Sequence, residues 1–550
     1  MDDPFGVLPR VAYFSMEIAL EPAMHNYSGG LGVLAGDVMR SAADLAVPVV
    51  GVTLLSRLGY FRQRTADGQQ VEAPDPWDPQ QFARRLPAQV RLRIGERDVV
   101  IAAWEHTVGS RCATAEPVPV LMLDTNLEEN HPDDRTLTDR LYGGDAAYRL
   151  RQEIVLGVGG VRMLAALGVK VQKYHLNEGH AAFLTLELLR TLKSVPAVQA
   201  LCIFTTHTPV AAGHDQFDYP LALPMLGELA PPTLPAMAGA ARLNMTQLAL
   251  SLSGWVNGVA QRHAETSRTL FPGYTIHAIT NGVHPWTWAS DRMRALFDRY
   301  VPHWCHEPEL LVHARRIPAA ELLAAHAAAK EQLLALAGQC APGTLRPDLF
   351  TIGFARRMTA YKRPHLLFTD LDRLRVIARR YPFQVVLAGK AHPHDLEGRR
   401  QIERLHAWAK ELAGEIPVVF LPGYDMDVAR RLVAGVDVWL NTPQRPLEAS
   451  GTSGMKAALN GVPNLSVLDG WWVEGCDEGV TGWAVGNDGP HDGDGDAESL
   501  YAKLGDTVLP LFHDDPAGWL EVMRGAMTRN GAYFNSHRML RRYVLEAYSR

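Results

Sequence analysis

Two hydrophobic patterns recur along the chain. Short apolar, β-branched runs closed by Gly, Pro, Asp or Asn alternate with longer stretches whose apolar positions return at helical spacing. The runs are 47–54, 118–123, 201–205, 349–355, 384–388, 417–421 and 436–441. Their alternation with helical segments predicts an α/β protein with parallel sheets built from βα units. Between about 286 and 346 the pattern changes to alanine-rich helix, AAELLAAHAAAKEQLLALAG, which reads as the passage between two α/β domains. The expected layout is a first domain over 1–290, a helical connection over 291–345, a second domain over 346–518, and a helical, arginine-rich tail over 519–550 that packs back on the first.

Length supports two domains, since 550 residues exceed what one ordinary core holds. With 47% hydrophobic and 21% charged residues, the composition is that of a soluble globular protein. A net charge of -6 gives no reason to expect nucleic acid or an anionic membrane as a partner. The opening MDDPFGVLPR lacks the basic-then-apolar pattern of a signal peptide, and no run is apolar enough to span a bilayer, so a cytoplasmic location is expected. The five cysteines, Cys112, Cys202, Cys305, Cys340 and Cys476, form no CxxC pair and read as reduced thiols. The acidic, glycine-rich stretch 486–498 fails as a calcium loop, because Ala497 and Lys503 occupy the positions that need glycine and glutamate. It reads as a solvated surface loop.

The chemistry concentrates in three places. In VDVWLNTPQRPLEASGTSGMKAALNG (436–461), a buried-type strand ends near Asn441, and a helix runs from about Thr452 to a C′ glycine at Gly461. Gly451 and Gly454 would let N–H groups at the helix start approach an anion, with Glu448 and Ser450 at the mouth and Lys456 reaching back over the site. Alone, Lys456 would be a solvated helix lysine. However, EASGTSGMKAALN (448–460) closely resembles the cofactor-attachment motif of the glycogen, starch and maltodextrin phosphorylases. The resemblance implies pyridoxal 5'-phosphate carried covalently on Lys456, with Thr452, Gly454 and Arg356 around it.

The second place is LFTIGFARRMTAYKRPHLLF (349–368), where Arg356, Arg357, Lys362 and Arg363 follow the end of a strand. On an exposed helix such cations are a solvated face, but at the carboxyl end of a parallel strand they lie where open α/β sheets bind ligands. The stretch resembles the family's phosphate-binding segment. That match implies that Arg357 and Lys362 hold substrate phosphate, Arg356 the cofactor phosphate, and Tyr361 the glucosyl unit. Thr359 and Ala360 stand where longer members carry His-Glu, so hydrogen bonding around the sugar differs here.

The third is NYSGGLGVLAGDVMRSAADL (26–45), a glycine turn opening a helix. With YFSMEI (13–18) upstream it resembles the family's N-terminal glycine loop, which implies that Gly29, Gly30 and Leu31 face substrate, with Glu17 in a supporting role. KYHLNEGHAAF (173–183), FTTHTPVAAGHDQF (204–217) and AITNGVHPWTW (278–288) resemble further phosphorylase segments. They imply that His207 touches the glucosyl unit through its main chain and that Asn281 bonds a glucose hydroxyl. His175, Glu178 and His180 match no zinc spacing, and no metal is expected.

The resemblance extends from about Tyr13 to Asp469. It implies the two-domain GT-B fold, two Rossmann-like domains with the active site in the interdomain cleft. The implied reaction is the reversible phosphorolysis of terminal α-1,4-linked glucose, in a glucan or maltodextrin, to α-D-glucose 1-phosphate with retention. The long members' N-terminal regulatory region and phosphorylation switch are not expected; a homo-oligomer is left open. Two rival readings are a nucleotide-sugar glycosyltransferase of the same architecture, in which Lys456 has no evident task, and a catalytically silent glucan-binding homologue.

Overall fold

The computed structural model describes residues 10–112, 115–210, 213–487, 489 and 493–550. Residues 1–9 of the opening segment, 211 and 212 of the 204–217 motif, and 488 and 490–492 of the acidic loop lie outside the described residues. By internal contacts the chain divides into two units. One comprises the residues through Phe61, Pro74–Thr280 and Met539–Arg550, and the other Arg62–Ala73 and Asn281–Arg538.

The first unit is built on a sheet of nine strands among the described residues. Their order is His277–Ala278, Trp255–Gly258, Cys202–Thr205, Lys173–Asn177, Val11–Phe14, Val49–Leu54, Val118–Asp124, Arg97–Val108, Arg84–Ile94. The first seven run parallel, and the last two are added through antiparallel pairings, Arg97–Val108 on Val118–Asp124 and Arg84–Ile94 on Arg97–Val108. Side chains alternate across a strand, so both faces of the parallel part need a cover. Ala12, Phe14, Val50, Val52, Leu121 and Leu123 enter one core cluster. Val11, Tyr13, Val49, Val120 and Met122 enter another, which also takes Met539, Leu540, Tyr543 and Tyr548 from the end of the chain. The antiparallel edge escapes an apolar-run criterion because Arg84–Ile94 (RRLPAQVRLRI) alternates exposed arginines with inward apolar residues.

In the second unit six parallel strands take the order Val418–Leu421, Phe383–Ala388, Phe350–Ala355, Val438–Asn441, Asn464–Val467, Gly482–Val485. The first strand in sequence is therefore central and the order reverses beside it. In a doubly wound sheet this switch point leaves a crevice outside the carboxyl ends of the two strands where ligands bind. Here those ends are Ala355 and Asn441. The expected runs near 350, 384, 418 and 437 all form strands with ends shifted by one or two residues, whereas the last two strands of the sheet are additional to them.

At the opposite, amino-terminal end of these strands, buried Asp437 accepts from Thr351 N (2.7 Å), Lys330 Nζ (2.7 Å) and His326 Nε2 (2.9 Å). These bonds tie the helix Ala319–Gly338 to the sheet. The hairpin Arg62–Ala66 and Gln69–Ala73 also belongs to this unit. Buried Gln63 donates to Gly389 O (2.8 Å), and Gln70 donates to Ala391 O (2.9 Å), which satisfies carbonyls just beyond the strand Phe383–Ala388.

Cys202, Cys340 and Cys476 are free thiols, as expected for reduced cysteines. Among the described residues no helix is long and apolar enough to cross a membrane.

Candidate active site

The switch point of the second unit carries a buried charge cluster. After Ala355 the chain leaves the sheet with Arg356, whose guanidinium lies 2.6 Å from Glu448 Oε2 and also donates to Asn441 Oδ1 at the end of the neighbouring strand. Lys362, on the short turn Ala360–Lys362, donates to the same Glu448 oxygen at 2.8 Å, and its Nζ stands 4.6 Å above the Tyr361 ring. Burial alone would raise the pKa of Glu448, but Arg356 and Lys362 outweigh it and hold the carboxyl at about 2. It is therefore ionised and can only accept hydrogen bonds. Arg357 is exposed beside this cluster.

Arg363, the fourth cation, has a structural task. It donates to Thr442 O (3.0 Å), Pro443 O (2.7 Å) and Asp496 Oδ2 (2.7 Å), and Asp496 in turn binds Arg445 at 2.8 Å. The cationic segment and the loop leading to Glu448 are thus fastened to one buried carboxylate near the end of the acidic stretch.

Gly451 adopts a left-handed φ of 90° and opens the helix Thr452–Leu459. The Ser450 hydroxyl is buried and has no hydrogen-bond partner among the described residues. Gly454 faces inward: a Cβ there would stand 2.3 Å from Asn464 Oδ1 and 2.9 Å from the Trp471 ring, so packing demands glycine at this position. On the same helix Lys456 is buried, with Nζ 3.8 Å from the centroid of Trp288. Asn460 explains the pairing, since it donates to Trp288 O (2.8 Å) and accepts from Ser290 N (2.8 Å), which fastens the segment after Asn281 to this helix. Asn281 is itself buried, and its Oδ1 has no hydrogen-bond partner among the described residues.

Gly29, Gly30, Leu31 and His207 lie in the first unit. The helix Gly30–Asp44 begins at Gly29, and the carboxylate of buried Glu17 organises the turn. It accepts from the N–H groups of Ser28 and Gly29, from Ser28 Oγ (3.1 Å) and from Tyr142 OH (2.9 Å). A Cβ on Gly32 would sit 2.7 Å from Glu17 Oε2, whereas Gly30 faces open space. His207 donates its N–H to Glu178 Oε2 (2.7 Å) and pairs Nε2 with Asn177 Oδ1 (2.6 Å). Burial, helped by nearby imidazoles, lowers its pKa to about 3, so the ring is neutral. Glu178 also accepts from Gly179 N and Thr208 Oγ1, and both ring nitrogens of His175 are engaged, with Tyr548 OH and Thr205 Oγ1.

The chain is similar in sequence to known proteins. The family model described as carbohydrate phosphorylase matches residues 16–125 and 234–481. The chain is 37% identical over 593 residues to a maltodextrin phosphorylase of Thermococcus litoralis, covering 98% of this chain and 70% of that protein. It is 37% identical over 621 residues to a glycogen phosphorylase of Mycobacterium tuberculosis, with the same coverage. Similarity to a glycogen phosphorylase of Aquifex aeolicus is 35% over 611 residues, covering 98% of this chain and 86% of that one. The chain belongs to the carbohydrate phosphorylase family.

A site for the phosphorylase cofactor is consistent with the residues present. A buried primary amine at Lys456 lies against an aromatic face, and Arg356 brings positive charge to the adjoining strand end. Sequence reasoning overlooked Asp469, which follows the strand Asn464–Val467 and accepts from Glu448 N (2.9 Å) and Gly470 N (2.9 Å). The available signal was an Asp-Gly pair closing the apolar run NLSVL.

Proposed function

We propose that this phosphorylase catalyses the reversible phosphorolysis of terminal α-1,4-linked glucose in a glucan or maltodextrin. Inorganic phosphate is the nucleophile and α-D-glucose 1-phosphate the product, with the configuration retained. The observation that carries the reading is the convergence of Arg356 and Lys362 on one buried carboxylate, Glu448, at the switch point of a parallel sheet. In this reading the two sheets are the halves of a GT-B fold.

A phosphate nucleophile is anionic and would be repelled by the paired carboxylates of a glycosidase, so a cationic, water-poor site suits it. Arg357 and Lys362 hold substrate phosphate through charge-assisted hydrogen bonds. As phosphate arrives, Lys362 exchanges Glu448 for it, and the freed carboxylate accepts from a glucose hydroxyl. Asn281 Oδ1, Tyr361, Ser450 and Gly451 line the same sugar. In the first unit, Gly29, whose N–H is held by Glu17, sets the turn from which Gly30 and Leu31 supply backbone N–H donors, and the carbonyl of His207, whose N–H is already engaged, is the main-chain group left for the glucosyl unit.

The proton on the bound phosphate goes to the glycosidic oxygen, the C1–O bond to the glucan breaks, and a phosphate oxygen forms the new bond to C1. Lys456, Thr452, Gly454 and Arg356 would hold pyridoxal 5'-phosphate. That group, when bound, supplies a phosphate whose second pKa of about 6 suits proton exchange near neutral pH. Incubating the purified protein with maltoheptaose and inorganic phosphate should release glucose 1-phosphate. Release of glucose alone, or a requirement for a nucleotide sugar, would reject the reading.

A further inference from the structure

Asp469 stands at the carboxyl end of the strand Asn464–Val467, next to the strand that ends at Asn441. Its side chain is almost fully buried, and its two oxygens are divided between two backbone donors, Oδ2 taking Glu448 N and Oδ1 taking Gly470 N, each at 2.9 Å. The next two residues grip the same turn. Trp471 N donates to Ser450 O (2.9 Å), and a Cβ on Gly470 would stand 2.4 Å from Ser450 O, so the chain passes there only as glycine, at φ 56°. The segment 469–471 is thus a template against which the turn from Glu448 to Ser450 is laid.

We propose that Asp469 is a positioning residue for Glu448. By accepting both N–H groups at once its carboxylate fixes the turn that carries Glu448 and Ser450, and its ionisation sets how firmly that turn is held. The inference rests on the phosphorolysis proposed above.

An ionised carboxylate offers acceptor sites on both oxygens, whereas the protonated form has a hydroxyl that points a donor toward one of the two N–H groups. Protonation therefore weakens one of the two bonds. The charged groups facing Asp469 are Glu448 from the turn it holds and the cations Lys362 and Arg363 from the segment after Ala355. Burial and the Glu448 charge raise its pKa, and the two N–H donors and Lys362 lower it; the balance is about 7. Glu448 remains ionised throughout this range, so it does not supply the titration.

The test compares wild type, Asp469→Asn and Asp469→Ala as full-length purified protein. Phosphorolysis of maltoheptaose is followed from about pH 6 to about pH 8, with cofactor absorbance and thermal melts recorded alongside. The titration of inorganic phosphate is common to all three enzymes and cancels in rate ratios. Asp469→Asn keeps an oxygen acceptor but cannot ionise. The kcat of wild type over that of this variant should therefore rise with pH, by up to about tenfold across the range. Asp469→Ala should lower kcat and raise the KM for maltoheptaose at every pH, with cofactor absorbance unchanged. Only the wild type must bury a charge above neutrality, so the melting temperature of Asp469→Asn should gain on it as pH rises. A wild-type enzyme that releases no glucose 1-phosphate would sink the functional reading itself. An active wild type whose ratio to Asp469→Asn stays flat with pH would overturn this inference alone, as would an Asp469→Ala with wild-type kcat and KM.

Discussion

Each unit starts a helix from a glycine turn and holds that turn with a buried carboxylate from beyond the end of a strand, Glu17 in one and Asp469 in the other. Around the two turns the charge differs. The partners of Glu17 among the described residues are two backbone N–H groups and the hydroxyls of Ser28 and Tyr142. The second unit adds Arg356 and Lys362, both bound to Glu448. Backbone donors at a helix start are fixed in place and carry only partial charge, so they shape a site at little desolvation cost. Full side-chain charges are needed to draw a multiply charged anion from water, and buried cations must be balanced until it arrives. Glu448 supplies that balance. In the function proposed above, the first unit shapes a ligand and the second binds its charge.

Substitutions in the two units should separate these contributions. Lys456→Ala should cause the largest effect, removing covalently held cofactor and nearly all phosphorolysis, on the order of a thousandfold or more. Full activity without a bound chromophore would break the assignment of the second unit as the chemical half. Glu448→Gln should lower kcat by roughly a hundredfold while leaving cofactor absorbance intact. Because it strands two buried cations, it should also lower thermal stability, by about 3–5 kcal/mol. Added inorganic phosphate should raise its melting temperature more than that of the wild type, and an equal rise in both would mean that Glu448 does not stand in for an anion. The rise of its kcat with pH should move to lower pH, because the substitution removes a charge that raises the pKa of Asp469, while Glu448 itself, held at about 2, adds no titration in the neutral range.

Arg357→Ala should raise the KM for phosphate about tenfold or more, the cost of one charge-assisted contact, with little change in the KM for glucan. A change confined to glucan would reverse the role given to this exposed arginine. Glu17→Gln should be the mildest, a few-fold loss of kcat/KM, because the amide oxygen can keep the N–H groups of Ser28 and Gly29 while its NH2 falls opposite the hydroxyls of Ser28 and Tyr142, which can turn to accept. If it matched Glu448→Gln in severity, the contrast between a shaping and a charge-binding unit would fail.

Much of this was legible in local sequence. The apolar runs near 350, 384, 418 and 437 became strands, and the helix Thr452–Leu459 begins and ends where its flanking glycines, Gly451 and Gly461, predicted. These signals are short-range, because turn chemistry and periodicity act over a few residues. The same local logic missed Arg84–Ile94, where arginines interrupt the apolar run, and it read the end of the acidic stretch as solvated although Asp496 there is buried between Arg363 and Arg445.

What the sequence alone determined was the kind of groups available: glycine turns before helices, cations after a strand, and a lysine within a helix. Their partners were decided by tertiary structure. Lys362 and Glu448 are 86 residues apart, and Glu448 and Asp469 are 21 apart. They meet because the strand Val438–Asn441 docks beside Phe350–Ala355 on one side and Asn464–Val467 on the other. Strand order is a property of the whole sheet, set by which faces can be buried together, and no local period encodes it.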